Sequence, residues 1–318
     1  MMKSKSLKPL ILAGIAVTSS ACSEREAESP HPNIVFILAD DLGWGDLGCY
    51  GQTMFQTPGI DSLAANGIRF TQCYSGTTVS APSRSCLLTG THSGHTPIRG
   101  NVELDPEGQF PLPSGTPTIF HDMKAAGYRT GAFGKWGLGF VGTSGDPNKQ
   151  GIDEFYGFNC QLLAHSYYAD HIWHNSERIE LKDNVDSIPY GQGTYIPDLI
   201  HEKALEFMET SAKEKQPFFL WYPTTIPHAE LIVPKDSIID RFIGKYPETP
   251  YHGTDSGPGF RKGGYCSQEY PHATFAAMVT RLDTYVSQIV AKLKELGIYD
   301  NTIIIFSSDN GPHMEGGA

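Results

Sequence analysis

Positive charge is scarce in this chain. Its 318 residues carry 24 Lys and Arg against 35 Asp and Glu, a formal charge of −11 at pH 7. Nucleic-acid binders need a basic stripe to neutralise phosphates, so this balance argues against such a partner. Cysteine is also sparse. Six residues without a spacing pattern give no disulfide framework, although an exported chain could still form a bridge, and there is no Cys/His cluster at zinc spacing. There is no internal repeat and no low-complexity tract, which sets aside solenoids and fibrous arrays. The apolar run near the N-terminus, Leu10 to Val17, is too short to span a bilayer. What is present is an ordinary globular composition, 39% hydrophobic and 19% charged, with ample chain for a core. The length suits one large domain or two modest ones.

Apolar patterning predicts an α/β fold. Strands are expected near residues 33–39, 68–73, 128–133, 217–223 and 302–307. Between them, helices are expected near 58–66, 84–90, 116–126, 195–212 and 268–296. In the last of these, Phe275, Met278, Val279, Leu282, Val286, Ile289, Val290 and Leu293 form one apolar stripe, which needs no reading beyond core packing. Cys86 lies on an apolar helical run and is also assigned to the core. Segments 137–160 and 230–267 are rich in Gly, Pro and Tyr and are predicted to be loops shaping a binding face.

The chemistry-bearing residues stand at strand ends. Asp40 and Asp41 follow Asn33–Ala39, and Asp309 and Asn310 follow 302–306; both strands read as fully buried. Paired carboxylates there are expensive unless a cation neutralises them. These are hard oxygen donors, suited to Ca²⁺ or Mg²⁺. Open α/β sheets bind ligands beyond the carboxyl ends of their strands, where both pairs fall. Gly134-Lys135-Trp136 and Pro227-His228-Ala229 follow two further strands. A lone Lys or His in a loop is usually just solvated, but recurrence at four strand ends is not accidental. A fifth element is Ser80-Ala81-Pro82-Ser83-Arg84, followed by the apolar Cys86-Leu87-Leu88-Thr89-Gly90. Alone, that string is a loop ending at a helix N-terminus.

Together these residues resemble the type I sulfatases of the alkaline phosphatase superfamily, from about Pro32 to the last residue. The resemblance implies an alkaline phosphatase-like sandwich: a mixed, mostly parallel sheet flanked by helices. It implies that Ser80 is oxidised to formylglycine. Asp40, Asp41, Asp309, Asn310 and residue 80 would ligate one divalent cation, most often Ca²⁺, with Mg²⁺ the alternative. Arg84 and Lys135 would face the modified side chain and the sulfate, and His228 would protonate the leaving oxygen. Attack by one hydroxyl of the aldehyde hydrate displaces the alcohol; deprotonation of the second releases sulfate. Ser-type sites of this kind are matured by a radical S-adenosylmethionine enzyme before export, which makes that maturase a transient partner.

Two departures stand out. The common Lys-Trp-His-Leu-Gly string is here Lys135-Trp136-Gly137-Leu138-Gly139, so an imidazole is missing. His165, in Ala164-His165-Ser166-Tyr167-Tyr168, is a candidate to replace it or to contact substrate; an ordinary loop residue is the competing reading. Family members also continue past the Asp-Asn-Gly strand to another active-site Lys and a smaller C-terminal domain. Here Gly316-Gly317-Ala318 ends the sequence, so 32–318 is expected to be the N-terminal portion of the catalytic domain, with the smaller domain missing.

Residues 1–21 have the pattern of a signal peptide: Lys3, Lys5 and Lys8, an apolar stretch, then small residues before Cys22. Cys22 fits a lipoprotein site, with residues 22–31 as a charged tether; an ordinary secretory signal is the alternative. The expected location is the periplasm or an outer-membrane anchor of a Gram-negative bacterium, with the membrane reached only through lipid on Cys22. The expected activity is hydrolysis of sulfate esters, by family analogy on sulfated glycans. Two alternatives are a phosphatase or phosphodiesterase using unmodified Ser80, and a non-catalytic relative that binds sulfated glycans.

Overall fold

The computed structural model describes residues 31–105, 107–184, 193–256 and 264–314. The predicted signal peptide and nearly all of the tether lie outside them. The fold is a three-layer α/β sandwich. In chain order its elements are β1 (Asn33–Ala39), α1 (Pro58–Asn66), α2 (Ser80–Thr89), β2 (Glu103–Leu104), β3 (Gly108–Gln109), α3 (Ile119–Ala125) and β4 (Arg129–Lys135). Then come β5 (Glu154–Phe158), α4 (Gln161–Ala164), β6 (His171–His174), β7 (Glu177–Glu180), α5 (Ile196–Lys213), β8 (Phe218–Pro223), α6 (Pro271–Glu295) and β9 (Thr302–Ser308).

The main sheet has seven strands in the order β7-β6-β5-β4-β8-β1-β9. β5, β4, β8, β1 and β9 run parallel, and β6 and β7 add an antiparallel edge. The expected mixed, mostly parallel sheet is therefore present. Alternation along each strand divides the core in two. Val35, Ile37, Ala39, Phe133, Phe218, Leu220 and Tyr222 face the layer of α5 and α6. Leu38, Ala132, Phe219 and Trp221 face the layer holding Ala81, Leu88 and Phe120 of α2 and α3. Burial on both faces explains why β8, Phe-Phe-Leu-Trp-Tyr-Pro, reads as one continuous apolar run.

Several expectations are corrected. Residues 68–73 have strand composition but form no strand. Ile68 and Phe70 are 83% and 61% exposed, and no strand among the described residues lies beside them to complete a ladder. β9 is not fully buried: Ile303 and Ile305 project to solvent, because β1 is its one partner among the described residues. The helix expected at 84–90 begins at Ser80, so the whole Ser-x-Pro-x-Arg string is helical. Segment 137–160 is not all loop, since β5 lies within it. The β6–β7 hairpin was not expected; its four-residue strands are too short to show a clear period. Among the described residues, no helix is long and apolar enough to cross a membrane.

Candidate active site

The parallel strands all end on one side, and that geometry assembles the site. β4, β8, β1 and β9 stand consecutively in the sheet, so Lys135, the loop bearing His228, Asp40 and Asp309 emerge along one edge. α2 supplies the remaining pieces. Ser80 opens this helix and Arg84 lies one turn on, so an i, i+4 spacing puts both on one face. Pro82 sits in the first turn, where a missing N–H costs no helical bond. Ser80 therefore stands at the positive end of a ten-residue helix, a favourable place for an anion.

The cluster is dense and nearly dry. Ser80 donates to Asp40 Oδ1 at 3.1 Å, and Lys135 Nζ lies 3.4 Å from the same hydroxyl. Lys135 Nζ is 2.7 Å from Asp40 Oδ2. Arg84 Nη2 reaches Asp309 Oδ2 at 2.9 Å and Asp40 Oδ1 at 3.3 Å, while its Nη1 donates to the Lys135 carbonyl at 2.7 Å. Asp41 N–H donates to Asp309 Oδ1 at 3.1 Å, and Asn310 Nδ2 donates to Asp41 Oδ1. Ser83 ties α2 to the Asp309 carbonyl. Asp41 turns the chain with φ +59°, a left-handed conformation that Asp tolerates better than most side chains.

Electrostatics follow from this crowding. Burial alone would raise the Asp40 carboxyl, but Lys135, His228 and Arg84 outweigh it and hold it well below the carboxylate range. Asp41 moves the other way, through burial first and the charge of Asp40 second. Asp309 is pushed up to about 6 by burial and by Asp40, against the pull of Arg84 and Lys135. Three carboxylates that compete for two cations are a site short of positive charge.

The donor set fits a hard divalent cation. Asp40, Asp41 and His228 offer ligand atoms within 4.8 Å of one another. Asp309 and Asn310 add oxygens, and Asn310 Oδ1 is buried without a hydrogen-bond partner among the described residues. An orphaned amide oxygen facing an acidic cluster is what an oxygen-ligated cation would satisfy.

His228 lies 3.3 Å from Asp41 through Nε2, and its ring stacks on His165 with centroids 4.8 Å apart at 14°. Burial and Lys135 lower His228 to about 4, and burial, Lys135 and His228 lower His165 to about 2. Both imidazoles are thus neutral at pH 7 in the ligand-free site. The structure brings together every residue singled out from the sequence, including His165, with Cys86 in the core. It adds Tyr167, fully buried, whose hydroxyl reaches the carbonyl oxygens of Thr225 and His228 and so pins the His228 loop. Nothing in the sequence flagged Tyr167, because its partners are backbone atoms far along the chain.

Residues 32–318 match the sulfatase family. The chain belongs to that family. It is 32% identical to human arylsulfatase A over 88% of this chain and 52% of that protein. It is 31% identical to the N-acetylgalactosamine-6-O-sulfatase of Bacteroides thetaiotaomicron, over 99% of this chain and 66% of that one. Among solved structures, Ps i-CgsB bound to k-i-k-neocarrahexaose superposes with a TM-score of 0.74 at 29% identity, covering 91% of this chain and 60% of the other. This sulfatase chain thus spans between about half and two thirds of these relatives' lengths.

Proposed function

We propose that this chain hydrolyses sulfate esters carried on glycans, with Ser80 converted to formylglycine and one divalent cation held by Asp40, Asp41, residue 80, Asp309 and Asn310. Oxygen-only donors favour Ca²⁺, with Mg²⁺ the alternative. The observation that carries this reading is the charge of the buried cluster. Arg84 and Lys135 face three carboxylates, one net negative charge. Adding a divalent cation, which keeps its carboxylate ligands ionised, leaves one net positive charge. A sulfate monoester, singly charged, neutralises that remainder. A phosphate monoester carries nearly two charges at pH 7 and leaves the site negative.

The cation would supply fixed positive charge to the sulfuryl oxygens. The hydrated aldehyde at residue 80 would supply a nucleophilic hydroxyl and a second hydroxyl whose deprotonation frees the sulfate. The chain's own residues do the rest. Lys135 and Arg84 hold the nucleophile and the sulfuryl group against Asp40 and Asp309. His228, fixed by Tyr167 and stacked on His165, would protonate the leaving oxygen. Arrival of an anionic ester beside His228 favours its protonated form, offsetting the burial that keeps it neutral beforehand.

Two relatives support the glycan assignment: one is an N-acetylgalactosamine-6-O-sulfatase, and another is bound to a neocarrahexaose. A radical S-adenosylmethionine maturase, export to the periplasm or outer membrane, and a lipid on Cys22 belong to the same proposal. Matured protein should release inorganic sulfate from sulfated saccharides, and Ser80→Ala should abolish release. Release of phosphate from phosphate esters, with no sulfate release, would overturn the assignment.

A further inference from the structure

Beside Lys135 the wall of the site has an unusual composition. Gly137 adopts φ +74°, and a Cβ built there would lie 2.1 Å from Gln161 Nε2. Gln161 therefore occupies the space that any side chain at 137 would enter. Its side chain is 1% exposed, and neither Nε2 nor Oε1 has a hydrogen-bond partner among the described residues. Its backbone is fixed, with its N–H donated to the buried Gln109 Oε1 at 3.1 Å. Asn159, whose carbonyl accepts from Gly137 N–H at 3.0 Å, has a second buried amide with both atoms unpartnered. One helical turn after Gln161 comes His165, with a buried, unpartnered Nδ1 and its ring stacked on His228. Gln161 thus fills the space over Gly137, two residues from Lys135, and stands one helical turn before His165, whose ring stacks on His228.

Buried amides left empty at both ends are rare in native proteins, and each asks for a partner. The partner must both accept and donate. A sulfuryl oxygen accepts only, so it would satisfy Nε2 and leave Oε1 empty. Two neighbouring hydroxyls on a sugar ring satisfy both, one accepting from Nε2 and the other donating to Oε1. We propose that Gln161 is a sugar-binding residue, whose amide clasps a pair of adjacent hydroxyls on the saccharide that carries the sulfate. This rests on the sulfated-glycan reading. It assigns to Gly137 a role of its own: lacking a side chain, it admits the amide.

The test compares binding of a panel of sulfated monosaccharides, including N-acetylgalactosamine 6-sulfate, with binding of 4-nitrophenyl sulfate, which has no hydroxyl pair. Wild type should prefer its best sulfated sugar, and Gln161→Met, which keeps the volume without the amide, should lose roughly 10- to 100-fold of that preference. Its melting temperature should hold or rise, since an orphan amide has been removed from a buried place. If Gln161→Met fails to fold, Gln161→Asn, which withdraws the amide by one carbon, should show a partial loss of the same ratio. An unchanged ratio, equal weakening for both ligand types, or no sugar preference in the wild type would overturn the proposal. Binding needs no turnover, so failed hydrolysis in the same samples would count against the sulfatase assignment alone.

Discussion

Arg84 and Asp309, 225 residues apart, meet through Nη2 and Oδ2 at 2.9 Å with both side chains fully buried. This pair joins the helix that carries Ser80 to the end of the last described strand. Removing one partner of such a pair leaves an uncompensated buried charge, which typically costs about 3–5 kcal/mol. Arg84→Met should therefore lower the denaturant midpoint as well as activity. A shift corresponding to less than about 1 kcal/mol would show that the two elements are held together by packing alone.

Lys135 Nζ touches both Asp40, at 2.7 Å, and the Ser80 hydroxyl, at 3.4 Å. Lys135→Met should reduce kcat by about 10²–10³-fold, as loss of a preorganised charge stabiliser does. A rise in KM with kcat intact would instead make Lys135 a ground-state binder.

Cation binding should be visible as stability, without any assay of turnover. Dialysis against a chelator should lower the unfolding temperature, and added Ca²⁺ at 100 times its Kd should restore about 2.7 kcal/mol. Asp41→Asn or Asp309→Asn should flatten that response. An unaltered melting curve across the titration would remove the cation from the account.

A separate titratable cluster lies at β6. His171 is 2.6 Å from both Glu107 and Asp170, with Arg178 Nη2 3.0 Å from its Nδ1. Burial pulls the His171 pKa down, but the two carboxylates outweigh it and the net shift is upward. A raised pKa means the folded state holds the proton more tightly. The contribution is therefore complete below the unfolded value near 6.5 and fades as pH rises through the folded value. Wild type should exceed His171→Asn in stability by more at pH 6 than at pH 9. A gap that is constant or widens with pH would contradict the assignment.

Tyr167→Phe should leave the fold intact but release the His228 loop. The single O–H shared by two carbonyls is lost, a cost of about 1–3 kcal/mol. If Tyr167 positions His228, kcat should fall more on alkyl than on aryl sulfates, because a poor leaving group needs the proton more. Equal losses on both would mark Tyr167 as purely structural.

The sequence made the site legible because its residues sit at strand ends. A run of apolar residues along a strand makes the polar residue that ends it stand out, as Asp40 does after β1 and Asp309 after β9. The i, i+4 relation of Ser80 and Arg84 was not legible, because the apolar run that signals α2 begins only after Arg84. Residues 68–73 misled for the opposite reason. Ile68, Phe70 and Thr71 have strand propensity, but pairing depends on a neighbour that composition does not reveal. Tyr167 and Gln161 were invisible because their significance is spatial: one grips backbone atoms after β8, and the other fills the room left by Gly137.

The central claim is that residue 80 is not a serine in the working protein. It is tested most directly by the mass of the proteolytic peptide containing Ser80, from protein produced together with a maturase proven on a control substrate. The account predicts a peptide lighter by two hydrogen atoms, the signature of oxidation of Ser80 to the aldehyde. An unmodified Ser80 under those conditions would contradict it.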